Sequence, residues 1–300
     1  MNDKIREKMN IVVISGPTSS GKTKKAVEFC KRAKGEIISC DSRQIYKYLD
    51  VGTNKDGVFL RDGVRKIDGV LQYLTDIINP NQNYSAGNFV KDADLKILKI
   101  FKSGKIPVIV GGTGLYINAL LYGLDEMPKA NESLRKKLRT KSQYELYDKL
   151  LKLDPVAADK NKKNPQRLLR ALEVNILSGK TMQEIFSSKY PRYRFKHYSI
   201  SVENKILYDR INEKCRYMIE NGMIEETRKA LDLGFDKNCP VFSSIGYRHV
   251  INYIENKISK SNLIAEFSKD TRHYAKRQNT WFRSQSNIKL IREHTNYSFL

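Results

Sequence analysis

The chain has 300 residues, of which 40% are hydrophobic and 29% charged, a globular composition sufficient for one large domain or two small ones. Its formal net charge of +22 favours a polyanionic partner, usually nucleic acid, although a lysine-rich genome bias explains the charge about as well. No apolar run approaches the roughly 20 residues that span a bilayer, and the sequence shows no secretory signal and no metal-binding cysteine spacing. We therefore expect a cytoplasmic protein with reduced thiols and no membrane partner.

The first predicted elements are a strand, a phosphate-binding loop and a helix in succession. Residues 11–14 are typical of a buried strand, and residues 23–34 have a helical pattern that ends with Gly35 at the C′ position. Residues 16–23 match G-x-x-x-x-G-K-[ST], a loop whose N–H groups, lysine charge and final hydroxyl predict binding of a di- or triphosphate such as ATP, with Mg²⁺. The predicted loop residues are Gly16, Pro17, Thr18, Ser19, Ser20, Gly21, Lys22 and Thr23.

Strand and helix patterns continue to alternate through the first third of the chain. Strands separated by helical crossovers form a parallel sheet covered on both faces. Ligands bind at the carboxyl ends of such strands, so the phosphate loop, Asp41 and Thr113 are expected to face one crevice. The predicted elements are strands at residues 36–40 and 106–110 and helices at residues 88–102 and 115–121.

The pattern changes after Gly123. Residues 129–181 show helical periodicity and no convincing strand, and Pro155 and Pro165 interrupt it. The later predicted elements are strands at residues 198–202 and 288–291 and helices at residues 205–221, 224–233 and 261–282.

These elements predict an α/β fold, a P-loop NTPase-like parallel sheet with helices on both faces and a small all-helical insertion domain. The predicted divisions are residues 1–122 and 188–300 for the two parts of the core and residues 123–187 for the insertion.

One carboxylate follows a buried strand near the phosphate loop. P-loop motors that hydrolyse nucleotides usually carry an aspartate after a central strand, but here the clearest central strand runs into Gly111-Gly112-Thr113-Gly114. Asp41 is the remaining candidate, which fits a transferase better than a motor. From the residues alone, a helix N-cap is a slightly better explanation of Asp41, and a tight turn explains the glycines.

Four stretches combine basic and aromatic side chains or are strongly basic. Basic residues hold a phosphate backbone and aromatic rings stack on unpaired bases, so the stretches favour RNA. The alternative for any single stretch is aromatic rings packed inward with solvated lysines and arginines. The stretches are residues 129–141, 160–170, 189–198 and 272–283.

Six blocks follow one another in the order found in a known family. They are residues 16–23 (GPTSSGKT), 41–53 (DSRQIY followed by DVGT), 111–116 (GGTGLY), 164–173 (NPQRLLRALE), 244–248 (SIGYR) and 275–283 (AKRQNTWFR). With these blocks the chain resembles the tRNA dimethylallyltransferases, also called tRNA isopentenyltransferases, over nearly its whole length.

The resemblance implies transfer of a dimethylallyl group from dimethylallyl diphosphate to N6 of adenine 37, beside the tRNA anticodon. The phosphate loop then holds the donor's diphosphate, with Mg²⁺ at Thr23. Asp41 becomes the base that takes the amine proton, Thr113 lies where base and donor meet, and Arg210 contacts the diphosphate.

The resemblance also implies a tRNA anticodon stem-loop as partner, and we expect a monomer. The alternatives are an adenylate isopentenyltransferase that acts on free AMP, ADP or ATP, and a nucleotide kinase or ATP-driven RNA-binding protein. The residues implied to face tRNA are Asp41, Ser42, Arg43, Gln44, Arg135, Gln166, Arg167, Leu168, Leu169, Arg170, Ser244, Ile245, Gly246, Tyr247, Arg248 and His249.

Overall fold

The structure is a computed structural model that describes Arg6, residues 9–185 and residues 190–293. These residues divide into two compact units, one formed by the chain up to Leu121 and from Pro191 onward, the other by Tyr122–Tyr190. The insertion predicted from the sequence, 123–187, has its end outside the described residues. Within the described ranges, no helix has both the length and the apolar character needed to cross a bilayer.

The first unit is built on one sheet, to which eight strands of the described chain contribute. The strands are β1 (Asn10–Ser15), β2 (Gly35–Ser39), β3 (Val58–Arg61), β4 (Val64–Ile67), β5 (Val70–Tyr73), β6 (Ile106–Gly111), β7 (Arg194–Ser201) and β8 (Lys289–Arg292). Their order is β3-β4-β5-β2-β6-β1-β7-β8, and all neighbours from β5 to β8 run parallel. The predicted α/β fold with a parallel sheet is confirmed.

The helices of the described residues occur between these strands and in the second unit. In chain order they are α1 (Lys22–Ala33), α2 (Ala86–Lys102), α3 (Gly114–Tyr122), α4 (Glu132–Arg139), α5 (Gln143–Leu153), α6 (Pro155–Asn161), α7 (Pro165–Ser178), α8 (Met182–Ile185), α9 (Asn204–Glu220), α10 (Met223–Asp232), α11 (Tyr247–Ile254) and α12 (Lys260–Arg283).

Both faces of the central strands are covered. Ile37 of β2 and Val108 of β6 share one apolar cluster with residues of α1. Successive strand residues point to opposite faces, so the fully buried Ile38 and Ile109 cover the other face. All four cysteines are buried and free, as expected.

Strands β3, β4 and β5 form an antiparallel extension that the sequence analysis missed. Two Asp-Gly pairs, at residues 62–63 and 68–69, join them. Asp68 and Gly69 both have positive φ, 47° and 90°, as a tight hairpin turn prefers. An Asp-Gly pair between apolar residues is a hairpin signal that could have located these strands from the sequence.

The end of α1 differs from its prediction. The left-handed residue that ends the helix is Lys34, with φ of 52°, and Gly35 already belongs to β2. A Cβ at Gly35 would lie 3.0 Å from both Cys30 Sγ and a methyl of Val108. The glycine therefore lets α1 and β6 pack closely against the start of β2.

Helix α11 was also missing from the predicted elements. It has only eight residues and begins after Gly246, whose φ is 95°. A Cβ at Gly246 would approach Met223 Cε to 2.8 Å. Such a short helix depends on packing rather than on a long periodic pattern.

The second unit contains helices α4 to α8 and has its own apolar core. Side-chain caps at Asn131, Ser142, Asp154 and Asn164 begin four of its helices. The core consists of Leu138, Leu146, Leu150, Ala157, Ala158, Leu168, Ala171 and Leu172. The helical character predicted for residues 129–181 is confirmed.

Candidate active site

The phosphate loop connects the end of β1 to the start of α1. Gly21, with φ of 78°, is the N-cap of α1, which has neither a side-chain cap nor an acidic residue in its first turn. A Cβ at Gly16 would lie 2.7 Å from Ser20 Oγ and 3.2 Å from the Ile200 carbonyl oxygen. The helix N-terminus therefore presents uncapped N–H groups, which bind anions.

Two buried hydroxyls strengthen this interpretation of the loop. The Oγ atoms of Ser19 and Ser20 have no hydrogen-bond partner among the described residues. Ser19 also has a left-handed backbone, with φ of 62°. Buried polar atoms without partners are costly, and a bound anion can accept a hydrogen bond from Ser19, which lines the neighbouring cavity.

Lys22 lies inside the same loop and donates a hydrogen bond to the Pro17 carbonyl oxygen at 3.2 Å. Burial lowers its pKa, while the nearby carboxylates of Asp41 and Asp56 oppose this change. A cation held in a poorly solvated site gains most from an anionic ligand.

A cavity of about 320 Å³ opens beside the loop. Thr18, Lys22 and Thr23 form its phosphate-loop wall, and Asp41 and Lys214 also line it. Another part of the lining is apolar and comprises Ile211, Cys215, Met218, Ile245 and Phe267. The cavity can therefore hold a ligand with an anionic end and a hydrocarbon end.

Asp41 follows β2 and lines this cavity. Its Oδ1 accepts a hydrogen bond from the Arg43 N–H at 2.8 Å, and the residues that follow form turns rather than a helix. The helix N-cap interpretation is therefore wrong, because the carboxylate caps a turn.

The Thr113 hydroxyl supports the turn that contains Asp41. Its hydroxyl accepts a hydrogen bond from the Ser42 N–H at 3.3 Å, and Thr113 is not among the residues that line the cavity. A Cβ at Gly111 would lie 2.0 Å from the Cys40 carbonyl oxygen. The glycine block, residues 111–114 at the end of β6, thus lets this backbone approach that of Cys40 closely. The tight turn expected from the sequence does not by itself require such an approach.

Gln278, which the sequence analysis did not single out, joins two of the predicted loops. Its Oε1 accepts a hydrogen bond from the Thr18 N–H at 3.0 Å, and its Nε2 donates to the Gly112 carbonyl oxygen at 2.9 Å. A Cβ at Gly114 would come within 2.7 Å of Trp281. Helix α12 therefore ties the phosphate loop to residues 111–114 and fixes their relative positions.

Two further ionisable residues near the loop were missed. Burial and the charge of Lys22 lower the pKa of Lys214 to about 8. Burial raises the pKa of Asp56, and Lys214, Lys22 and a hydrogen bond from Thr23 oppose that rise. Neither residue belongs to a motif block, so only tertiary contacts identify them.

Arg210 lies near the phosphate loop but outside the cavity lining. Its guanidinium forms an ion pair with Glu293 at 2.7 Å. Glu293 Oε1 lies 3.6 Å from the position of a Cβ on Gly21. The Glu293 carboxylate therefore pairs with Arg210 and also lies close to Gly21 of the loop.

The predicted tRNA-facing residues of the first unit have different environments. Ser42, Arg43, Gln44, Ser244 and Ile245 line the cavity. Gly246 precedes α11 as its N-cap. Tyr247 is buried, and its hydroxyl donates a hydrogen bond to Glu226. Arg248 and His249 both contact Asp270.

Within the second unit, two of the predicted arginines share a buried carboxylate. Glu173 accepts hydrogen bonds from Arg135 Nε at 2.9 Å, Arg170 at 2.6 Å and the Asn131 N–H at 2.8 Å. Gln166 and Arg167 are exposed, Leu169 is partly exposed and Leu168 is fully buried in the helical core.

Thr23 lines the cavity and offers a hydroxyl oxygen beside the phosphate loop. Mg²⁺ prefers carboxylate, hydroxyl and phosphate oxygens and usually keeps several waters. The side chains present therefore fit a magnesium ion bound together with a phosphate ligand.

Family models match most of the chain. A model described as IPP transferase matches residues 44–285, and one described as isopentenyl transferase matches residues 9–67.

Several individual proteins are similar over nearly their full length. A tRNA dimethylallyltransferase of Endomicrobium trichonymphae is 75% identical over 94% of this chain and 95% of its own. Another, of Acetivibrio thermocellus, is 40% identical over 94% of this chain and 91% of its own. The crystal structure of the full-length tRNA isopentenylpyrophosphate transferase from Bacillus halodurans superimposes with a TM-score of 0.71 at 34% identity, covering 97% of this chain and 92% of that one.

Proposed function

Because this chain belongs to the IPP transferase family, we propose that it transfers a dimethylallyl group from dimethylallyl diphosphate to N6 of adenine 37 in tRNA and releases diphosphate. The observation that carries the proposal is one cavity lined by the phosphate loop, Asp41 and apolar side chains. An anion site, a proton acceptor and a hydrocarbon pocket in one cavity are what prenyl transfer to an amine requires.

The diphosphate of the donor binds the phosphate loop. The N-terminal N–H groups of α1, the hydroxyl of Ser19 and the ammonium of Lys22 are positioned as donors to it. Their fixed dipoles and charge stabilise the negative charge that grows on the leaving diphosphate. Lys214 adds a second positive charge, and Arg210 reaches the same anion when its pairing with Glu293 is released.

The hydrocarbon end of the donor occupies the apolar part of the cavity, against Ile211, Met218 and Phe267. Burial there contributes roughly 0.8 kcal/mol for each buried CH₂ group. It also holds the reactive carbon away from bulk water, which disfavours hydrolysis of the donor.

Asp41 takes the proton of the adenine amine. As the bond from N6 to the allylic carbon forms, the bond from that carbon to the diphosphate oxygen breaks, and N6 must lose a proton. The Asp41 carboxylate lines the cavity and can accept this proton. Thr113 acts as a positioning residue, since its hydroxyl holds the turn that contains Asp41.

We include Mg²⁺ in the proposal, held by Thr23 and the bound diphosphate. When bound, the ion supplies positive charge to the leaving group. The Thr23 hydroxyl oxygen in the cavity lining supports that choice.

The tRNA contributes an unpaired loop base, which costs less to extrude than a base in a duplex. We propose that Ser42, Arg43 and Gln44, which line the cavity, contact the base and its neighbours. The exposed Gln166 and Arg167 are candidate contacts on the second unit. The net charge of +22 supports a polyanionic substrate over a free nucleotide.

We further propose that the protein acts as a monomer in the cytoplasm. Four free, buried thiols agree with a reducing compartment.

The test is a transfer assay with purified protein, dimethylallyl diphosphate, Mg²⁺ and an unmodified anticodon stem-loop that carries adenines at positions 36 to 38. Mass spectrometry should detect one added prenyl group on adenine 37. AMP and ATP in place of the stem-loop should give little product. Absence of transfer together with ATP hydrolysis would refute the proposal.

A further inference from the structure

One face of α9 lines the cavity over about two helical turns. Its lining residues, at positions 211, 214, 215 and 218, are spaced by three or four and therefore lie on the same side of the helix. This face begins near the phosphate loop, because Arg210 pairs with Glu293, whose carboxylate lies close to Gly21. Met218 follows about 12 Å farther along the axis, at 1.5 Å for each residue.

Helix α12 lines the same cavity with residues at positions 267, 271, 274 and 278. Gln278 marks the end of this face that is nearest to the phosphate loop, since it accepts a hydrogen bond from the Thr18 N–H. Phe267 lies about 16 Å from Gln278 along the helix axis, at 1.5 Å for each residue. Each of the two helices therefore leads from the phosphate loop to an apolar side chain.

Met218 and Phe267 lie at the same end of the cavity. Midway along the two helices, the Cys215 thiol contacts Thr271 Oγ1 at 3.7 Å. Met218 follows Cys215 by almost one turn, and Phe267 precedes Thr271 by one turn. The parts of both helices that approach the phosphate loop lie on the other side of this contact, so Met218 and Phe267 form the end of the cavity that is farthest from the diphosphate site.

A second packed layer closes the cavity behind Phe267, which is only 4% exposed. A Cβ at Gly246 would lie 3.0 Å from Phe267 Cε2 and 2.8 Å from Met223 Cε, and the His249 ring is stacked on that of Phe267 at 6.1 Å between centres. Gly246, Met223 and His249 are outside the cavity lining. Met218 is buried in the same apolar cluster. Such a close-packed interior has no space for additional carbon atoms.

The size of the cavity also limits its ligand. Its volume of about 320 Å³ is near the lower end of the range of about 300 to 1,000 Å³ for small-molecule pockets, and the proposed reaction brings a donor and an adenine into it together. A second isoprene unit lengthens a donor by about 5 Å, close to one turn of helix. The added carbons would collide with Met218 and Phe267.

Building on the proposed function, we propose that Met218 and Phe267 set the length of the prenyl donor, so that the site accepts dimethylallyl diphosphate and rejects its ten-carbon homologue, geranyl diphosphate. With either donor, a bond forms from N6 to C1 of the prenyl group, the bond from C1 to the diphosphate oxygen breaks, and a proton passes from N6 to Asp41. The two donors share the reactive carbon and the leaving group. The selection is therefore steric and acts on the hydrocarbon alone.

The first test measures donor binding without any transfer reaction. Calorimetry gives the affinities for dimethylallyl diphosphate, geranyl diphosphate and inorganic diphosphate. Phe267→Ala and Met218→Ala should each raise the affinity for geranyl relative to dimethylallyl diphosphate by about tenfold or more, the usual effect of fit or misfit in an apolar pocket. The affinity for inorganic diphosphate should stay as in wild type, because the phosphate loop is at the other end of both helices.

The second test is a competition between the two donors at equal concentration for an anticodon stem-loop. Mass spectrometry of the product should show the same shift from the dimethylallyl to the geranyl adduct in both variants. Phe282→Ala is the matched control, because it removes an equal ring from the same helix at a side chain that is 2% exposed and outside the cavity lining. It should leave the preference unchanged. Met218→Ala removes less volume from the core and decides the result if Phe267→Ala does not fold.

Two outcomes would overturn the inference. One is an unchanged donor preference in the folded variants. The other is a weaker affinity for the stem-loop without a change in donor preference, since the apolar end would then hold the adenine. Both leave the proposed function intact, because the wild type still transfers its prenyl group. A wild-type protein that transfers neither group would instead refute the proposed function, while the donor affinities would still test the length selection.

Discussion

The role of Asp41 could not be decided from the sequence, because a helix N-cap and a residue of the active site were both consistent with it. The tertiary environment distinguishes the two roles. As a sequence, Asp41-Ser42 before an apolar run resembles a helix N-cap. In the structure the residues after Asp41 form turns, its Oδ1 accepts the Arg43 N–H, and the side chain lines the cavity. The carboxylate is therefore both oriented by the backbone and accessible to a substrate.

We expect Asp41→Asn to fold and bind RNA normally but to lose catalysis. Asparagine keeps an Oδ1 that accepts the Arg43 N–H, so the turn survives, but it cannot take a proton. The rate of prenyl transfer in a single turnover should fall by about 10² to 10⁴. A rate near that of wild type would restrict Asp41 to a structural role.

Lys214 gives a pH-dependent prediction at the same scale. Burial and the neighbouring Lys22 lower its pKa to about 8, so the free site loses a positive charge as the pH rises through that value. The affinity for inorganic diphosphate, measured by calorimetry, should therefore be about tenfold weaker at pH 9 than at pH 7, because a group is about one-tenth protonated one pH unit above its pKa.

Lys214→Arg separates this effect from the titration of diphosphate itself. The guanidinium stays protonated across the range, so the variant should lose most of the difference between pH 7 and pH 9. An identical pH profile in both proteins would exclude Lys214 from the diphosphate site.

At the scale of elements, α12 links the parts of the site. Its buried face carries Gln278, which hydrogen-bonds to both the phosphate loop and the glycine block. Tyr274 lines the cavity, with the guanidinium of Arg277 5.8 Å from its ring centre. On the exposed side a groove of about 540 Å³ is lined by His273, Lys276, Arg277, Thr280, Trp281 and Ser284.

We expect this groove of α12 to bind RNA phosphates. The logarithm of the affinity for the anticodon stem-loop should fall linearly with the logarithm of salt concentration. Lys276→Ala should weaken binding and reduce that slope by about one, and the double variant with Arg277→Ala by about two. Lys229→Ala, an exposed lysine at the end of α10, is the control and should change neither quantity. Unchanged slopes in the groove variants would exclude α12 from the RNA interface.

At the scale of the whole molecule, the chain forms two units with separate cores. The helical unit depends on Glu173, whose side chain is fully buried between Arg135 and Arg170. Burial raises the pKa of Glu173, but hydrogen bonds from Arg135, the Asn131 backbone and Arg170 outweigh this and lower it overall. Its stabilising contribution is therefore present at neutral pH and is lost as the pH falls through the lowered pKa.

Glu173→Gln should destabilise the helical unit by up to about 3 kcal/mol, less than for fully buried ion pairs because both arginines are partly exposed. Hydrogen exchange should become faster in α4 and α7 and stay unchanged in β1 and β6. Glu132→Gln removes an exposed partner of Arg135 and should leave exchange as in wild type. Equal acceleration in both units would contradict their independence.

Much of the fold was predictable because strong local signals coincide with the elements. The apolar runs of β1, β2 and β6, the phosphate loop and the helical periodicity of the second unit all have clear patterns. The hairpins of β3 to β5 and the short helix α11 were missed. Their strands have four residues each, and α11 is held by packing around Gly246, so neither offers a long periodic signal.

The sequence by itself determined the parallel sheet, the phosphate loop with Lys22 and Thr23, and the family, because each depends on residues that are close together in the chain. Only the tertiary structure decided that Asp41 caps a turn beside a cavity, that Gln278 joins two loops, and that Lys214 lies in the cavity beside the phosphate loop. Their partners are distant in sequence, and the charge, burial and hydrogen bonding that give these side chains their chemistry arise only when the chain is folded.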